Sequence, residues 1–116
     1  MKHWLLTAAL VSAALLTGCG QTHDAKKKVR EFMDTQMHMD DYDIVEWGRA
    51  DSTFFVSDSM VRVMQTNAAN KVKAHYAKPT QKLLYIKVKY VLQNDTVRQT
   101  FYLDDKMTGV VAYKQD

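Results

Sequence analysis

The chain has 116 residues and a formal net charge of +3, and it contains one cysteine and one proline. A single cysteine excludes an intramolecular disulfide and any zinc site that needs several thiolates. The length suffices for one domain, whose core must then be stabilised by packing alone.

The first residues have the pattern of an export signal. Lys2 and His3 precede an uncharged, mostly apolar run over residues 4–16. This run is shorter than the roughly 20 residues of an ordinary membrane-spanning helix, but it has the length of a signal-peptide hydrophobic region. We therefore predict a signal peptide over residues 1–18. A secreted chain with a free thiol and a buried N-terminal helix are the alternatives.

The tetrapeptide that ends this run, Leu16-Thr17-Gly18-Cys19, resembles the lipobox of bacterial lipoproteins. The resemblance implies cleavage between Gly18 and Cys19. It also implies a diacylglycerol on the Cys19 sulfur and an acyl chain on the new amino group. Several acyl chains anchor a protein stably, whereas one chain alone binds a bilayer only marginally.

After a lipidated tether over residues 19–23, we expect a single domain over residues 24–116, which opens with a helix. Apolar residues recur at helical spacing from residue 24 to about residue 39, and Asp40-Asp41 end the pattern. One face of this helix carries Ala25, Val29, Phe32, Met33, Gln36 and Met37. The lysines at residues 26–28 are expected near the lipid headgroups.

Two clusters at the end of this helix contain side chains that can bind metal ions. Soft ligands are Met33, Met37, His38 and Met39; hard ones are His38, Asp40, Asp41 and Asp43. Methionine on an apolar stripe is an ordinary core residue, however, and a calcium-loop glycine is missing between residues 34 and 47. Common nucleophile, phosphate-loop and zinc-protease motifs are also missing. We therefore expect no metal, no catalytic residue and no cofactor beyond the acyl chains on Cys19.

The segment after the first helix has the pattern of two short strands. Residues 42–47 predict a strand, and Gly48 predicts a break or a bulge after it. Residues 51–52 predict a turn, and the apolar residues 54–56 predict another strand.

A second helical pattern covers residues 60–77. Residues 57–59 offer several N-cap side chains before it, and Pro79 ends it. Its apolar stripe is Val61, Met64, Ala68 and Val72. Weak helix formers in residues 66–70 leave its continuity open.

Strict alternation of apolar and polar residues over residues 83–92 and 97–103 predicts a β-hairpin. Asn94-Asp95 as a two-residue loop would fix its register. The predicted pairs are Leu92 with Val97, Tyr90 with Gln99, Val88 with Phe101 and Ile86 with Leu103.

A last strand is predicted over residues 110–113. The turn before it covers residues 104–109, where Gly109 can adopt a positive φ. The predicted pairs are Leu103 with Val110 and Phe101 with Ala112.

These elements predict an α+β domain in which the N-terminal helix covers one face of a three- to four-stranded antiparallel sheet. The last three strands form a meander, residues 42–47 supply the fourth strand, and the helix over residues 60–77 is an insertion. The opposite face of the sheet carries Tyr85, Lys87, Lys89, Arg98 and Tyr102. Such a face can bind a protein or an anionic glycan. A solvated face of good strand formers is the alternative.

Charge is strongly separated along the chain. Residues 31–58 have a net charge of −7, and residues 59–94 have a net charge of +7. These segments either neutralise each other as neighbours in the fold or leave a basic face for an anionic partner. We favour neutralisation, because separated like charges repel one another unless something binds them.

The order of these elements resembles that of small cystatin-like lipoproteins of the Bacteroidota, related in shape to the cone-like folds of the nuclear-transport-factor type. The resemblance covers residues 24–116 and includes no functional motif; the Gln-x-Val-x-Gly inhibitory loop of cystatins is missing. Because no acidic run follows Cys19, the resemblance favours an outer-membrane lipoprotein that faces the periplasm. Nucleic acid is not an expected partner there.

Two functions are compatible with the sequence. The leading hypothesis is a non-catalytic module that binds an envelope partner through the Tyr/Lys face, or packs against envelope components. The alternative is a small-ligand pocket or a vestigial enzyme in the cone between helix and sheet. A polar cavity that contains His38 or His75 with a carboxylate would support the alternative.

Overall fold

An antiparallel sheet of five strands lies at the centre of the structure, a computed structural model that describes residues 20–69 and 73–116. The predicted signal peptide, Cys19 and the stripe residue Val72 lie outside the described residues. The elements are α1 (20–35), β1 (Tyr42–Trp47), β2 (Asp51–Thr53), α2 (Asp58–Ala69), β3 (Leu83–Leu92), β4 (Asp95–Asp104) and β5 (Val110–Gln115).

The strand order is β1-β3-β4-β5, and β2 pairs with β3 on the edge that β3 shares with β1. This arrangement confirms the predicted α+β class, the C-terminal meander and the pairing of residues 42–47 with it. Within the described ranges, no helix is long and apolar enough to cross a membrane.

The apolar stripe of α1 packs against one side of the sheet, which we call the helix face. Ala25, Val29 and Met33 are fully buried and Phe32 is 5% exposed, which confirms the predicted stripe. The residues of the helix face are Leu84, Ile86, Val88, Tyr90, Gln99, Phe101 and Leu103. Burying each large apolar side chain there stabilises the fold by about 1.5–3 kcal/mol.

The start of α1 differs from the prediction. Residues 20–23, predicted as a tether, are helical. The Oγ1 atom of Thr22 also accepts a hydrogen bond from the Ala50 N–H at 3.4 Å. A polar helical turn at the surface has no apolar period, so the sequence pattern could not distinguish it from a tether.

The end of α1 also differs, because the helix stops at residue 35 instead of residue 39. The Met37 N–H bonds to the carbonyl of Phe32, and the Met39 N–H bonds to that of Met33. These wide bonds close the last turn, and His38 leaves the helix with a φ of 53°.

The hairpin of β3 and β4 has a register displaced by two residues from the predicted one. Its loop is Gln93-Asn94, and both residues have a positive φ (51° and 71°), as a type I′ turn requires. The observed pairs are Leu92 with Asp95, Tyr90 with Val97, Val88 with Gln99, Ile86 with Phe101 and Leu84 with Leu103. Side chains alternate with a period of two, so this displacement leaves every residue on its predicted face.

The predicted strand over residues 42–47 forms as β1, with a bulge at Val45. The chain leaves the strand at Gly48, as predicted, and the Gly48 N–H donates to the Lys87 carbonyl at 2.7 Å. Of the two predictions for Gly48, the break is confirmed and the bulge is wrong, because the bulge lies three residues earlier.

β2 forms at residues 51–53, where a turn was predicted, and residues 54–56 form no strand. Beyond the end of β1, the β3 backbone at residues 83–85 still needs hydrogen-bond partners. The polar β2 supplies them, and sequence patterns do not detect such pairing because it involves only the backbone.

α2 begins at Asp58, and the Ser57 hydroxyl caps it by accepting the Met60 N–H at 3.2 Å. The helix ends at Ala69, and residues 73–77 are not helical, so its predicted extension to residue 77 is wrong. It packs along β5, the last strand of the sheet.

Polar contacts cover the outer edge of β5. The Gln65 Nε2 donates to the Val111 carbonyl at 2.8 Å, and the Ala77 N–H donates to the Val110 carbonyl at 2.8 Å. Strand edges that are paired or covered do not recruit further strands.

A buried carboxylate organises the turn between β4 and β5. Asp104 is 5% exposed, and it accepts the Thr108 N–H at 2.8 Å, the Thr108 hydroxyl at 2.7 Å and the Gly109 N–H at 3.0 Å. Met107, not Gly109, adopts the positive φ of this turn.

The register between β4 and β5 is only partly as predicted. Leu103 pairs with Val110, as expected. An irregularity after Tyr102 then pairs Phe101 with Tyr113 instead of with Ala112.

We expect Asp104→Ala to lower the free energy of unfolding by about 2–3 kcal/mol, because three donors lose a charged acceptor. Asp105→Ala removes an exposed carboxylate one residue later and should change it by less than about 0.5 kcal/mol. Urea denaturation of both variants measures the difference. Equal effects would contradict the structural role of Asp104.

The two registers of the hairpin can be distinguished with glycine. We expect Gln93→Gly to raise the free energy of unfolding by up to about 1 kcal/mol, because it relieves a left-handed conformation. Asp95→Gly should lower it by about 0.5–1 kcal/mol, since residue 95 lies in a strand. Thermal denaturation should show opposite shifts, whereas the predicted loop Asn94-Asp95 would reverse their signs.

Candidate binding surface on the far face of the sheet

The far face of the sheet, opposite α1, carries a cluster of cations. In the pairing register Lys89 lies opposite Arg98, Lys87 opposite Thr100, and Thr100 opposite Lys114. Neighbouring strands are about 4.8 Å apart, and same-face residues of one strand are about 6.6–6.8 Å apart. Three adjacent strands therefore present four cations, which we call the basic grid: Lys87, Lys89, Arg98 and Lys114.

The predicted binding face is only partly accessible. Lys87 and Arg98 are exposed, while Lys89 and Tyr85 are half-buried. Tyr102 is only 9% exposed, and its ring lies 6.2 Å from that of Tyr85. Tyr102 therefore contributes little exposed area to this face.

Tyr102 is covered by α2 and by the segment just before it. Val61 of α2 joins Tyr102, Leu83 and Ala112 in a second apolar cluster, with Val56 packed at its margin. The far face is thus divided into a covered half under α2 and an open half that carries the basic grid.

Two adjoining grooves lie on this face. One has a volume of about 640 Å³, and it is lined by all four grid cations together with Glu46, Gly48, Val88 and Asp116. The other has a volume of about 450 Å³, and it is lined by residues 52–56, Tyr85, Lys87, Thr100, Tyr102 and Lys114. Because both contain Lys87 and Lys114, they form one continuous basic groove.

The grid cations are not neutralised by direct ion pairs. In the described parts of the chain, the ion pair within 4.0 Å is that of Lys28 with Glu31, on α1. Glu46 lies opposite Lys89 in the register, so the acidic segment does border the basic one. That border agrees with neutralisation, the favoured interpretation of the charge separation. Among the described residues, however, no acidic residue lies opposite Lys87 or Lys114 in the strand pairing, and Arg98 has Asp116 nearby.

Asp116 is already engaged in hydrogen bonds. Its carboxylate accepts the Thr100 hydroxyl at 2.8 Å and 3.1 Å, and its N–H donates to the Arg98 carbonyl. Like charges placed opposite each other, such as Lys89 and Arg98, destabilise a sheet.

Two aromatic side chains rise at the rim of the groove. Phe54 is 65% exposed and Phe55 is 91% exposed. The Thr53 hydroxyl accepts the Phe55 N–H at 3.1 Å, which turns the chain away from the sheet directly after β2. Exposed aromatic side chains beside cations are typical of binding surfaces.

Sequence reasoning missed Lys114, Phe54 and Phe55 as surface-site residues. Lys114 joins the basic grid only through the irregular register of β5, which no local pattern shows. The paired phenylalanines are visible in the sequence, but because phenylalanine favours strands, residues 54–56 were predicted as a strand and not as an exposed site.

The space between α1 and the helix face is filled by side chains. Phe101 is fully buried, and its ring stacks at 5.3 Å on that of Tyr113. The buried Gln99 accepts the Tyr90 hydroxyl at 2.8 Å. Burial raises the pKa of Tyr90 to about 12, with smaller contributions from nearby tyrosines, as expected for a phenol held away from water.

Burial has the same effect on two other tyrosines of this core. It raises the pKa values of Tyr42 and Tyr76 to about 12, with a further contribution at Tyr42 from its 2.6 Å hydrogen bond to Asp34. The Tyr76 hydroxyl is buried and has no hydrogen-bond partner among the described residues.

The residues considered for metal binding are not brought together. Met33 is fully buried in the core and Met37 packs against it, as their positions on the apolar stripe predicted; Met39 also packs there. His38 is exposed at the turn after α1. Among the described residues no group of three or more metal-binding side chains occurs.

Two further grooves lie away from the basic groove. One of about 320 Å³ lies between α2 and the sheet and contains Met64, Gln99 and Tyr113, and one of about 290 Å³ borders α1 and contains Glu31, His75 and Tyr76. His75 and Glu31 are both exposed there, and Glu31 is paired with Lys28 at 3.6 Å. This groove is an open surface feature rather than the enclosed polar cavity that the alternative function needs.

Comparisons with protein families, curated proteins and solved structures return no match. The fold is therefore described by its own geometry, and any function rests on the residues of this chain.

Proposed function

We propose that this chain is the precursor of a lipoprotein of the cystatin-like type. In its mature form, acyl chains on Cys19 hold the domain to the outer membrane on the periplasmic side. The domain binds an anionic envelope partner, an acidic protein or an anionic glycan, through the basic groove.

The anchor is supported by the sequence before the domain. The charged start, the apolar run and Leu16-Thr17-Gly18-Cys19 agree with one another in length and order. Several acyl chains on one residue supply stable membrane attachment without a membrane-spanning helix.

One observation carries the binding role. Four cations lie together on the open half of the far face, and none of them forms an ion pair within 4.0 Å among the described residues. Their grid spacing suits a ligand with repeated negative charges. Phe54 and Phe55 at the rim add apolar contact area, which a purely solvated strand face does not need.

Binding is favoured over catalysis by the chemistry of the groove. Four of its six charged side chains are cations, and the Asp116 carboxylate already accepts the Thr100 hydroxyl. General base catalysis needs a base that is held beside its substrate by a partner, whereas charge recognition needs only accessible cations. The filled space beneath α1 gives no support to a ligand pocket in the cone.

We expect the variant with Lys87, Lys89, Arg98 and Lys114 all changed to Gln to bind polyglutamate at least about tenfold more weakly than the natural chain, because it lacks the complementary charges. The matched control changes the exposed Lys73, Lys78, Lys82 and Lys106 to Gln, which alters the net charge equally. Fluorescence anisotropy at two salt concentrations measures both affinities. Equal losses in the two variants would show that net charge, rather than the basic groove, recognises the anion.

The same pair of variants tests the partner in native envelopes. Crosslinking followed by mass spectrometry should recover a partner with the control variant and lose it with the groove variant. Thermal denaturation should show that the groove variant is at least as stable as the natural chain, since like charges are removed. A partner that persists with the groove variant would reject this surface.

The anchor has a separate test. We expect intact-mass measurement of the purified native protein to show a chain that begins at Cys19 and carries acyl groups. Cys19→Ala should shift the protein from the membrane fraction to the soluble fraction, because the thioether cannot form. Gln21→Ala, two residues away, should leave both results unchanged. An acyl-free Cys19 would refute the anchor.

A further inference from the structure

One end of the domain combines a tryptophan with several cations. The Lys26 Nζ and the Arg30 Cζ each lie 5.9 Å from the centre of the Trp47 ring. Lys27 and Arg49 are exposed nearby in sequence, on α1 and on the loop after β1. We call Trp47, Lys26 and Arg30 the tryptophan patch.

This patch is attached closely to the position of the proposed anchor. Helical structure is already present at Gly20, the residue that follows Cys19. The bond from the Ala50 N–H to Thr22 joins the loop after β1 to the first turns of α1. An anchor at Cys19 therefore restrains both parts of the patch together, since no flexible tether separates them in the described chain.

The distances place the nearer cation of the patch, Lys26, within reach of the headgroups. Lys26 follows Gly20 by six residues, a rise of about 9 Å along α1. The headgroup layer on one side of a bilayer is about 5–8 Å thick. Long lysine and arginine side chains can extend their charged ends towards such a layer. In the structure the charged ends of Lys26 and Arg30 lie over the Trp47 ring.

The chemistry of the patch matches that layer. Tryptophan prefers the membrane interface because its ring is apolar and its N–H is polar. Cations close to the bilayer are attracted by anionic phospholipids. Residues 20–30 contain four cations and one acid, Asp24, and one of these cations, Lys28, is paired with Glu31.

We infer that the tryptophan patch docks on anionic phospholipid headgroups, so that the acylated protein is held in a fixed orientation rather than hanging freely from its lipid. The inference rests on the proposed acylation of Cys19. In this orientation α1 begins at the bilayer, and the basic groove is left to bind its partner.

Trp47 reports directly on this contact. The chain has two tryptophans, and removal of residues 1–18 leaves Trp47 as the one in the mature protein. The acylated protein is placed in vesicles of phosphatidylcholine, with or without phosphatidylglycerol, that contain lipids brominated near the headgroup. We expect blue-shifted emission and at least about twofold quenching, stronger with phosphatidylglycerol.

Variants separate the patch from the rest of the surface. Lys26→Gln with Arg30→Gln should reduce the quenching in phosphatidylglycerol vesicles to the level in phosphatidylcholine alone. Lys78→Gln with Lys82→Gln removes the same charge from exposed positions outside both proposed surfaces and should leave the quenching unchanged. Unquenched Trp47 in an acylated, vesicle-bound protein would overturn the inference and leave the anchor intact. Equal quenching in the two vesicle types would overturn the role of anionic headgroups. An acyl-free Cys19 would overturn anchor and inference together.

Discussion

The two-residue alternation of the β3–β4 hairpin is the constraint on which the rest of the structure depends. It separates an apolar set, which α1 covers, from a polar and cationic set on the far face. With no disulfide available, the contact between the α1 stripe and this hairpin supplies most of the core. A register displaced by one residue would bury Lys87 and Lys89, so the sheet and the binding surface are fixed by the same pattern.

The elements that protect the two edges of the sheet determine which part of the far face stays open. α2 runs along β5, its Gln65 bonds to the edge of that strand, and its first half covers Tyr102 on the far face. At the opposite edge, the bulge at Val45 and the charged Glu46 disfavour further strand pairing. The basic groove lies between α2 at one edge and the bulged strand β1 at the other. Its cations stay accessible because the elements that protect the edges stop short of them.

The two proposed surfaces use positive charge differently. At the tryptophan patch, Lys26 and Arg30 rest on an aromatic ring beside the proposed anchor, so a membrane can be bound by many weak contacts made together. In the basic groove, Lys89 and Arg98 are directly opposite each other in the strand pairing, and the proposed anionic partner would relieve their repulsion. Acylation of Cys19 would raise the local concentration of the domain at the membrane, and a modest affinity for an envelope partner would then suffice.

The sequence alone determined the elements with a strong period: the α1 stripe, the strand over residues 42–47, the hairpin faces and the α+β class. These depend on side-chain burial, which leaves a pattern along the chain. Backbone hydrogen bonding leaves no such pattern in the side chains. The sequence therefore did not predict β2, the helical start of α1 or the irregular register of β5. Only the tertiary structure placed Lys114 on the same face as Lys87, one strand beyond Thr100, exposed Phe54 and Phe55, and buried Tyr102. Each of these positions is set by the packing of α2 and the pairing of distant strands, because contacts between residues far apart in the chain leave no local period.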